Sequence, residues 1–455
     1  MMRLLFLCFL FFIKSYSWSQ TQVLNKYIQK GLSNNLKIQQ HHLSIDESEL
    51  NARAAKSYRR PQLSFNASYL LAEGGRRIEF PLSDLVNPIN GTLNQLTGSN
   101  DFPTDISNFS ETFIPNNFQD TRLKLRYAVY NETLKYQYLA QQQLVSLETA
   151  EQVAIQQDLI KNIKIAYYQY FKSDAVIGIF MQSKKQLEGV YDFNKKLVDY
   201  NQKTADILFQ VTYEIEKNNA ELLEIEQQKE NAKAHFNSLL NTSLNEPIEK
   251  DGNLKSGISN HDLLEADLSE LQNLALQQRP ELVQLSEAAG ANEILVKANQ
   301  KSMFPTLNLE VTSGFQGTGY RFQDDQFLNT LGVGFDWLLY DGGNRKRKTE
   351  VAQIANAKIQ KDIEIAQQQI RLEVQKQFQA LQTAQQKITV EQALLQSAQS
   401  RYDLLRKRYE SGEVLLIELL DAQTKYTQAR LGLEVVEFDL LIRLAELERA
   451  LGMGG

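Results

Sequence analysis

Four short segments of the chain alternate strictly between apolar and polar positions. Over most of each segment the apolar side chains occupy every second position, as Leu63, Phe65, Ala67 and Tyr69 do, and the positions between carry mainly polar or charged side chains or glycine. A period of two places one face of a β-strand against apolar matter and the other face against water. The pattern therefore predicts strands at about 62–72, 121–130, 306–316 and 328–340.

These strands fit either a sheet that faces lipid in a membrane or a soluble β-sandwich, because in both cases the sheet has one apolar face. Four strands make a poor core for 455 residues, whereas segments of about ten residues with aromatic ends match transmembrane β-strands. Hydrocarbon does not tolerate an open sheet edge, so several copies would have to close one barrel, whose strand number the pattern leaves open. The side chains expected to face its pore are Arg122, Lys124, Arg126, Glu310 and Asp336. The expected lipid-facing aromatic girdle is Phe65, Tyr69, Tyr127, Phe315, Phe335, Trp337 and Tyr340.

Two long stretches without proline follow the strand pairs, at 131–199 and 343–410. At ~1.5 Å per residue, a continuous helix of this length measures about 100 Å. Apolar side chains recur every seven residues in the second stretch, which predicts coiled-coil packing. They are Val374, Leu381, Ile388, Leu395, Tyr402 and Tyr409. Shorter helices are predicted within 20–59, 203–240, 271–303 and 413–452.

The second half of the chain repeats the order of the first. Pro61 and Pro305 each precede a predicted strand, and Tyr130-Asn131 corresponds to Tyr340-Asp341 before a long helix. The predicted organisation is a signal peptide (1–19), a first repeat (20–242) with an extracellular loop (73–118) and a helical hairpin (131–240), a linker or equatorial region (243–270), and a second repeat (271–455) with a helical hairpin (343–452).

The first nineteen residues have the layout of a secretory signal, because a basic start precedes the apolar run 4–13 and small residues follow. The one cysteine, Cys8, would leave with the signal, which excludes disulfides and thiolate metal sites. The net charge of −6 argues against a nucleic-acid partner. Four scattered histidines and the dispersed carboxylates suggest no metal, cofactor or catalytic site.

Several landmarks resemble the TolC family of outer-membrane efflux proteins over nearly the whole chain after the signal. They are the segment 409–422 (YESGEVLLIELLDA), Arg279-Pro280-Glu281-Leu282, Phe304-Pro305 and the segment 339–343 (LYDGG). The resemblance implies a homotrimer with a 12-stranded β-barrel and a long α-helical tube, located in the outer membrane and the periplasm. It also implies docking to a periplasmic adaptor and an inner-membrane pump.

In the family, the turns between the long and short helices form the adaptor-facing tip and the closed entrance. Carried over, the resemblance implies that Tyr409, Glu413 and Glu418 are gate candidates, although Tyr409 also continues the heptad row and fits a packing role equally well. The first turn lacks the expected glycine, and Val414 cannot supply the family's basic lock. The remaining tip candidates are Gly412, Asn201, Thr204 and Asp206.

The function expected from these observations is a passive conduit of a tripartite efflux or type I secretion system, without catalysis. The first alternative is a periplasmic adaptor of the same machinery, which is also a coiled-coil hairpin protein. An adaptor would need a β-rich lipoyl-like domain and usually has one hairpin, whereas this chain is expected to have two. The second alternative is a secreted structural coiled-coil protein.

Overall fold

A computed structural model describes residues 22–113, 116–252, 254–255, 263 and 265–453. The predicted signal peptide 1–19 lies outside these residues. Within the described part of the chain, no helix combines the length and the apolar character needed to cross a bilayer.

The described chain is mainly helical, and two very long helices dominate it. These are α4 with 68 residues and α8 with 67 residues. The helices are α1 (Gln22–Asn34), α2 (Leu36–Ser57), α3 (Leu82–Thr97), α4 (Glu132–Asp199), α5 (Asp206–Leu239), α6 (Leu268–Gln278), α7 (Pro280–Lys301), α8 (Asn344–Glu410) and α9 (Leu416–Ala450). The strands are β1 (Gln62–Leu70), β2 (Arg77–Phe80), β3 (Phe109–Thr112), β4 (Phe118–Tyr130), β5 (Thr306–Thr318) and β6 (Phe327–Asp336).

Two of the shorter helical segments are interrupted. The segment 20–59 forms α1 and α2, because Asn35 leaves the helix and its side-chain oxygen accepts a hydrogen bond from the backbone N–H of Lys37 at 3.0 Å. The second break lies at Pro280, the first residue of α7, which holds Arg279 in an extended conformation. Proline has no N–H to donate and disfavours helix at the residue before it.

The predicted loop 73–118 has secondary structure of its own. It contains the helix α3 and a two-stranded antiparallel sheet, in which Arg77 of β2 is paired with Thr112 of β3. Several of its asparagines, a residue type that favours turns in isolation, here bond this helix to the segment that follows it.

The fourth predicted strand, 328–340, ends early at Asp336. Beyond it, the indole N–H of Trp337 donates to the Met303 carbonyl at 3.0 Å. The Arg345 guanidinium binds the Leu338 carbonyl. A continuing strand would present the Leu338 carbonyl to its neighbour, but here Arg345 binds it. Trp337 and Tyr340 therefore lie outside the sheet.

The main sheet is antiparallel, with the strand order β1-β4-β5-β6. Its register aligns Leu63, Leu125, Val311 and Leu331 across all four strands on one face. The neighbouring row, on the other face, is Ser64, Lys124, Thr312 and Thr330. The alternation in the sequence therefore corresponds to one apolar and one polar face, and the repeats meet at the β4–β5 pair.

The chain divides into two compact units. The described residues of one unit lie within 1–48, 143–290 and 357–455, and those of the other lie within 49–142 and 291–356. The first unit holds three hydrophobic clusters. Their fully buried members include Tyr167 and Phe236 in the first, Val374 and Leu447 in the second, and Val211 in the third. The heptad row of α8 thus supplies core residues to this unit.

A buried ion pair joins α4 to α9 in the first unit. Lys164 Nζ lies 2.6 Å from Glu448 Oε2, and both side chains are less than one-tenth exposed. Such a pair is sensitive to the loss of one partner, because the remaining charge is then buried without compensation.

We expect Lys164→Met to destabilise the protein by about 3–5 kcal/mol, because it leaves the Glu448 carboxylate buried without a positive partner. Replacing both residues with methionine should recover most of this loss. Denaturant unfolding of the purified proteins, followed by circular dichroism, gives both values. Equal stability of the single and double variants would contradict the coupling.

A second cluster at the end of α9 makes stability depend on pH. Arg449 Nε lies 2.8 Å from Asp158, and Arg449 Nη2 lies 2.7 Å from Glu281. Burial by itself raises the pKa of both carboxyl groups, but the hydrogen bonds and positive charge of Arg449 outweigh burial and lower both pKa values. A carboxyl group with a lowered pKa stabilises the fold above its unfolded pKa, and this contribution is lost as pH falls through the folded value.

We therefore expect wild-type stability to fall as pH drops below about 4, near the unfolded pKa values of Asp and Glu. Arg449→Met should reduce stability at neutral pH and flatten this acid dependence. Arg443→Met is the matched control, since Arg443 pairs with Glu446 on the exposed surface of the same helix. Thermal unfolding at pH 7 and pH 3 tests this, and parallel pH curves for wild type and Arg449→Met would contradict it.

Candidate functional site

The polar face of the main sheet carries a row of charged side chains. Lys124 and Arg126 both pair with Glu310 on the neighbouring strand, and the Arg126 Nε to Glu310 Oε2 distance is 3.1 Å. Arg122 pairs with Asp120 on its own strand. The period-two spacing of β4 places all three cations on one side. Three cations therefore face two carboxylates in the middle of the sheet.

Asp336 belongs to the same polar face, at the end of β6. Its carboxylate lies 3.5 Å from the side-chain amide of Asn308, the residue two positions before Glu310 on β5. Asp336, Arg126 and Glu310 line one open concavity. The structure thus places the five candidate pore residues on one face of one sheet.

The other face of the sheet is apolar and exposed. Phe65, Leu331 and Phe335 are 66%, 73% and 63% exposed. An exposed apolar surface of this extent marks a contact with a membrane or a partner. The charged side chains of the strands are confined to the opposite face, although the uncharged Ser313 and Asn329 lie on this one. The sheet therefore has the chemistry expected of a barrel wall between hydrocarbon and water.

Aromatic side chains mark both ends of this apolar face. At one end, Tyr69 stacks on Tyr320 with ring centroids 5.3 Å apart, and Phe315 packs against Phe327 at the same distance. At the other end are Tyr127, half-buried, and Phe335, which packs edge-on against Trp337. Tyr340, beyond the strand, is 84% exposed. Aromatic residues at the two ends of an apolar band are typical of membrane-spanning strands.

The two helix turns of the first unit are built by left-handed residues. Gly412 has a φ of +81° between α8 and α9, and Asn201 has a φ of +60° between α4 and α5. Glycine and asparagine are the residues that adopt this conformation most readily. After the α4–α5 connection passes Asn201, the Thr204 hydroxyl donates to the carboxylate of Asp206, the first residue of α5.

Tyr409 lies buried just before the α8–α9 turn. Its hydroxyl donates to the side-chain oxygen of Asn194 on α4, and the Asn194 amide donates to the Val190 carbonyl at 2.7 Å. Burial raises the pKa of Tyr409. It belongs to the third hydrophobic cluster, with Val211 and Leu419. Tyr409 thus occupies a packing position and also forms a polar contact between α8 and α4.

The other two gate candidates have local roles. Glu418 reaches back to the backbone N–H of Leu415 at 3.3 Å, which caps the start of α9. Glu413 is exposed in the turn, 3.8 Å from Arg408. Neither of these two contacts joins α9 to α4 or α5.

Residues that the sequence did not single out form the remaining contacts near this turn. Asp421 on α9 accepts from Arg401 on α8 at 3.1 Å and from Lys425 at 3.0 Å. The Gln423 side chain is buried and donates to the Ser183 carbonyl on α4 at 3.3 Å. Arg401 and Asp421 are twenty residues apart, so only the folded hairpin brings them together.

One group in the described part of the chain combines metal-ligand side chains. The ligand atoms of His41, Glu148 and Glu151 lie within 4.8 Å of one another. His41 Nε2, however, lies 2.9 Å from the Glu148 carbonyl oxygen, so a hydrogen bond to α4 occupies that nitrogen.

A sheet with one charged and one apolar face, in a chain with two long helical hairpins, is the arrangement expected of an outer-membrane channel protein. Residues 271–453 match the family described as outer membrane efflux protein. This match covers less than half of the chain, and over these residues the chain is similar to a family of outer membrane channel proteins. The resemblance found in the sequence is confirmed, and the outer membrane, with extension into the periplasm, is the protein's location.

Relatives and solved structures agree with this assignment. The chain is 26% identical to outer membrane protein TolC of Salmonella enteritidis over 193 residues, which are 40% of this chain and 38% of that protein. It is 23% identical to a probable efflux pump outer membrane protein, TtgC, of Pseudomonas putida over 366 residues, 77% of this chain and 72% of that protein. The match to the Salmonella protein thus spans less than half of its length.

The fold is also that of solved channels. A structure of CusC superposes with a TM-score of 0.78 at 18% identity, covering 96% of this chain and 93% of that one. VceC of Vibrio cholerae gives 0.73 at 17% identity, covering 95% and 96%. The predicted fold class is confirmed, and these matches give the adaptor alternative no support.

We expect Tyr409→Phe to destabilise the protein by about 1–3 kcal/mol, because the buried Asn194 oxygen loses its donor. Tyr213→Phe is the control, since Tyr213 on α5 is 68% exposed. Hydrogen exchange should show faster opening in residues 187–211 and 402–422 for Tyr409→Phe only. Unchanged exchange in these segments would mean that the hydroxyl contributes nothing to the turn.

Proposed function

We propose that this chain is the outer-membrane subunit of an efflux or type I secretion system and conducts substrates passively. The observation that carries the proposal is the four-stranded sheet, whose apolar face is exposed while its other face is charged. The match of residues 271–453 to the outer membrane efflux family supports the same function. The charged row of Arg122, Lys124, Arg126, Glu310 and Asp336 would line the pore, and the aromatic face would contact lipid.

Several copies would have to assemble to complete such a channel. The outer edges of β1 and β6 have no partner strand within the described sheet. Backbone groups left unpaired in hydrocarbon cost several kcal/mol each, so a membrane sheet must close on itself. Three copies would supply twelve strands, the number that the family resemblance implies.

The helix turns are the proposed docking site for a periplasmic adaptor and, through it, an inner-membrane pump. Large apolar side chains are exposed to water at or beside both turns. Tyr200 and Phe209 are 77% and 75% exposed, and Leu415 and Ile417 are 65% and 67% exposed. A partner that covers them would remove this apolar area from water.

Opening of the entrance would follow from a change between two packings of the same helices. Tyr409 and Asn194 join α8 to α4, and Arg401 and Asp421 join α8 to α9. Contacts of this kind break without changing the fold of either helix. The energy for transport would come from the pump, because the channel itself is proposed to catalyse nothing.

Ion selectivity in planar bilayers tests the proposed pore lining. Lys124→Glu should shift the preference of the channel toward cations, and Glu310→Lys should shift it toward anions, because each reverses a charge on the wall. Lys124→Arg retains the charge and serves as the control. Reversal potentials in a salt gradient measure the shift. Unaltered selectivity in both reversed variants, with assembly intact, would contradict the inward assignment.

A further inference from the structure

The two ends of the main sheet carry opposite charge. Because β1 and β5 begin where β4 and β6 end, the four junctions between strands and helices lie at one end of the sheet. The ten residues beside each strand at this end form the helix-side rim, which is made of 52–61, 131–140, 296–305 and 337–346. The rim contains nine Lys or Arg and two Asp or Glu. At the other end, the connections 71–117 and 319–326 contain three Arg and eight Asp or Glu.

The junction between β6 and α8 joins this basic rim to the apolar face of the sheet. Phe335 lies on that face and packs edge-on against Trp337, whose indole N–H donates to the Met303 carbonyl. Leu338 and Leu339 follow in the chain and are 59% and 76% exposed. The apolar surface therefore continues beyond the end of the strand, toward the cations at the start of α8.

Three cations at the start of α8 are available to a ligand. Arg345 is not one of them, because its guanidinium pairs with Asp341. The three exposed cations are Lys346, Arg347 and Lys348. Lys346 lies 4.0 Å from the exposed carboxylate of Glu350, and the other two have no acidic partner among the residues that the structure describes. The positive charge at this junction is therefore largely uncompensated.

A neighbouring copy of the chain would not neutralise these cations. In the closed sheet of the proposed channel, the outer edge of β6 would pair with β1 of the next copy. The flank of that strand, 52–61, contains four Lys or Arg and no Asp or Glu. Assembly would thus bring more positive charge to the rim, so a compensating anion has to come from outside the protein.

We propose that the helix-side rim binds the headgroups of anionic phospholipids, with Lys346, Arg347 and Lys348 as their main contacts. The inference rests on the proposed function, in which the apolar face of the sheet lies in a bilayer. Long basic side chains beside an apolar surface extend to the headgroup level while their methylene stems stay on that surface. Each Lys or Arg near an anionic lipid surface favours binding. The rim therefore selects anionic lipids from a mixed bilayer.

Trp337 provides the probe for a test of this selection. The sequence has two tryptophans, and Trp18 lies in the predicted signal peptide, so a Trp18→Phe background leaves Trp337 alone. The protein is reconstituted into vesicles of phosphatidylcholine with a minority of phosphatidylglycerol. Bromine, which quenches tryptophan fluorescence on contact, is placed on the acyl chains of the phosphatidylglycerol or of an equal amount of the phosphatidylcholine. We expect brominated phosphatidylglycerol to quench more strongly, with an apparent preference of about fivefold.

Removal of the three cations should abolish the preference. The triple variant Lys346→Gln, Arg347→Gln, Lys348→Gln should be quenched equally by the two brominated lipids. Exchanging lysine for arginine and arginine for lysine at these positions retains the charge and should retain the preference. High salt should reduce the preference of the wild-type rim, because it screens exposed charges.

The matched control removes the same charge from the other end of the sheet. It is the triple variant Arg76→Gln, Arg77→Gln, Arg321→Gln, in which all three arginines are exposed. This variant should keep the preference for phosphatidylglycerol, since its substitutions lie far along the strands from the helix-side rim.

Insertion is measured separately, by flotation of the vesicles and by circular dichroism. Equal quenching of the wild-type rim by both lipids would overturn the inference and leave the proposed channel standing. A preference that survives the three glutamines, or that persists at high salt, would overturn it as well. If the glutamine variant does not insert, the salt response of the wild-type rim decides. If the inserted protein is quenched by neither lipid, both the inference and the proposed lipid-facing sheet are wrong.

Discussion

The pairing of backbone hydrogen-bonding groups in hydrocarbon governs the rest of this structure. Water satisfies an unpaired N–H or carbonyl at the edge of a sheet, but acyl chains cannot. A sheet with an exposed apolar face therefore has to find strand partners before it is stable in a membrane. The order β1-β4-β5-β6 leaves two such edges within the described sheet. In the proposed channel, assembly would thus be a condition of the fold and not an addition to it.

The periodic parts of the structure could be predicted from the sequence. Alternation over about ten residues fixes which side chains share a face of a strand, so Lys124 and Glu310 could be placed on one face without coordinates. The heptad row of α8 likewise identified Val374 and Leu381, which are fully buried. Both predictions depend on geometry that repeats along one element. For the same reason, the TolC family could be recognised from the order of short landmarks.

Contacts between residues far apart in the chain could not be predicted. Tyr409 and Asn194 are 215 residues apart, and the sequence gives no signal that pairs them. The segment 73–118 was taken for a loop because its asparagines and serines favour turns, yet Asn87 and Asn94 form side-chain bonds that replace strand pairing. The last strand was predicted too long because Trp337 continues the alternation, although its indole bonds Met303 instead.

The pairing of β4 with β5 crosses the boundary between the two sequence repeats. The second strand of one repeat thus lies beside the first strand of the next, within a single polypeptide. If the duplication preserved this geometry, β6 would pair with β1 of an adjacent subunit in the way that β4 pairs with β5. A half-length progenitor with one hairpin could then have closed the same ring with twice as many subunits. Gene fusion would have turned every second junction between subunits into a covalent one. The two halves would then have been free to diverge, and the segment 73–118, which is long in only one of them, illustrates such divergence.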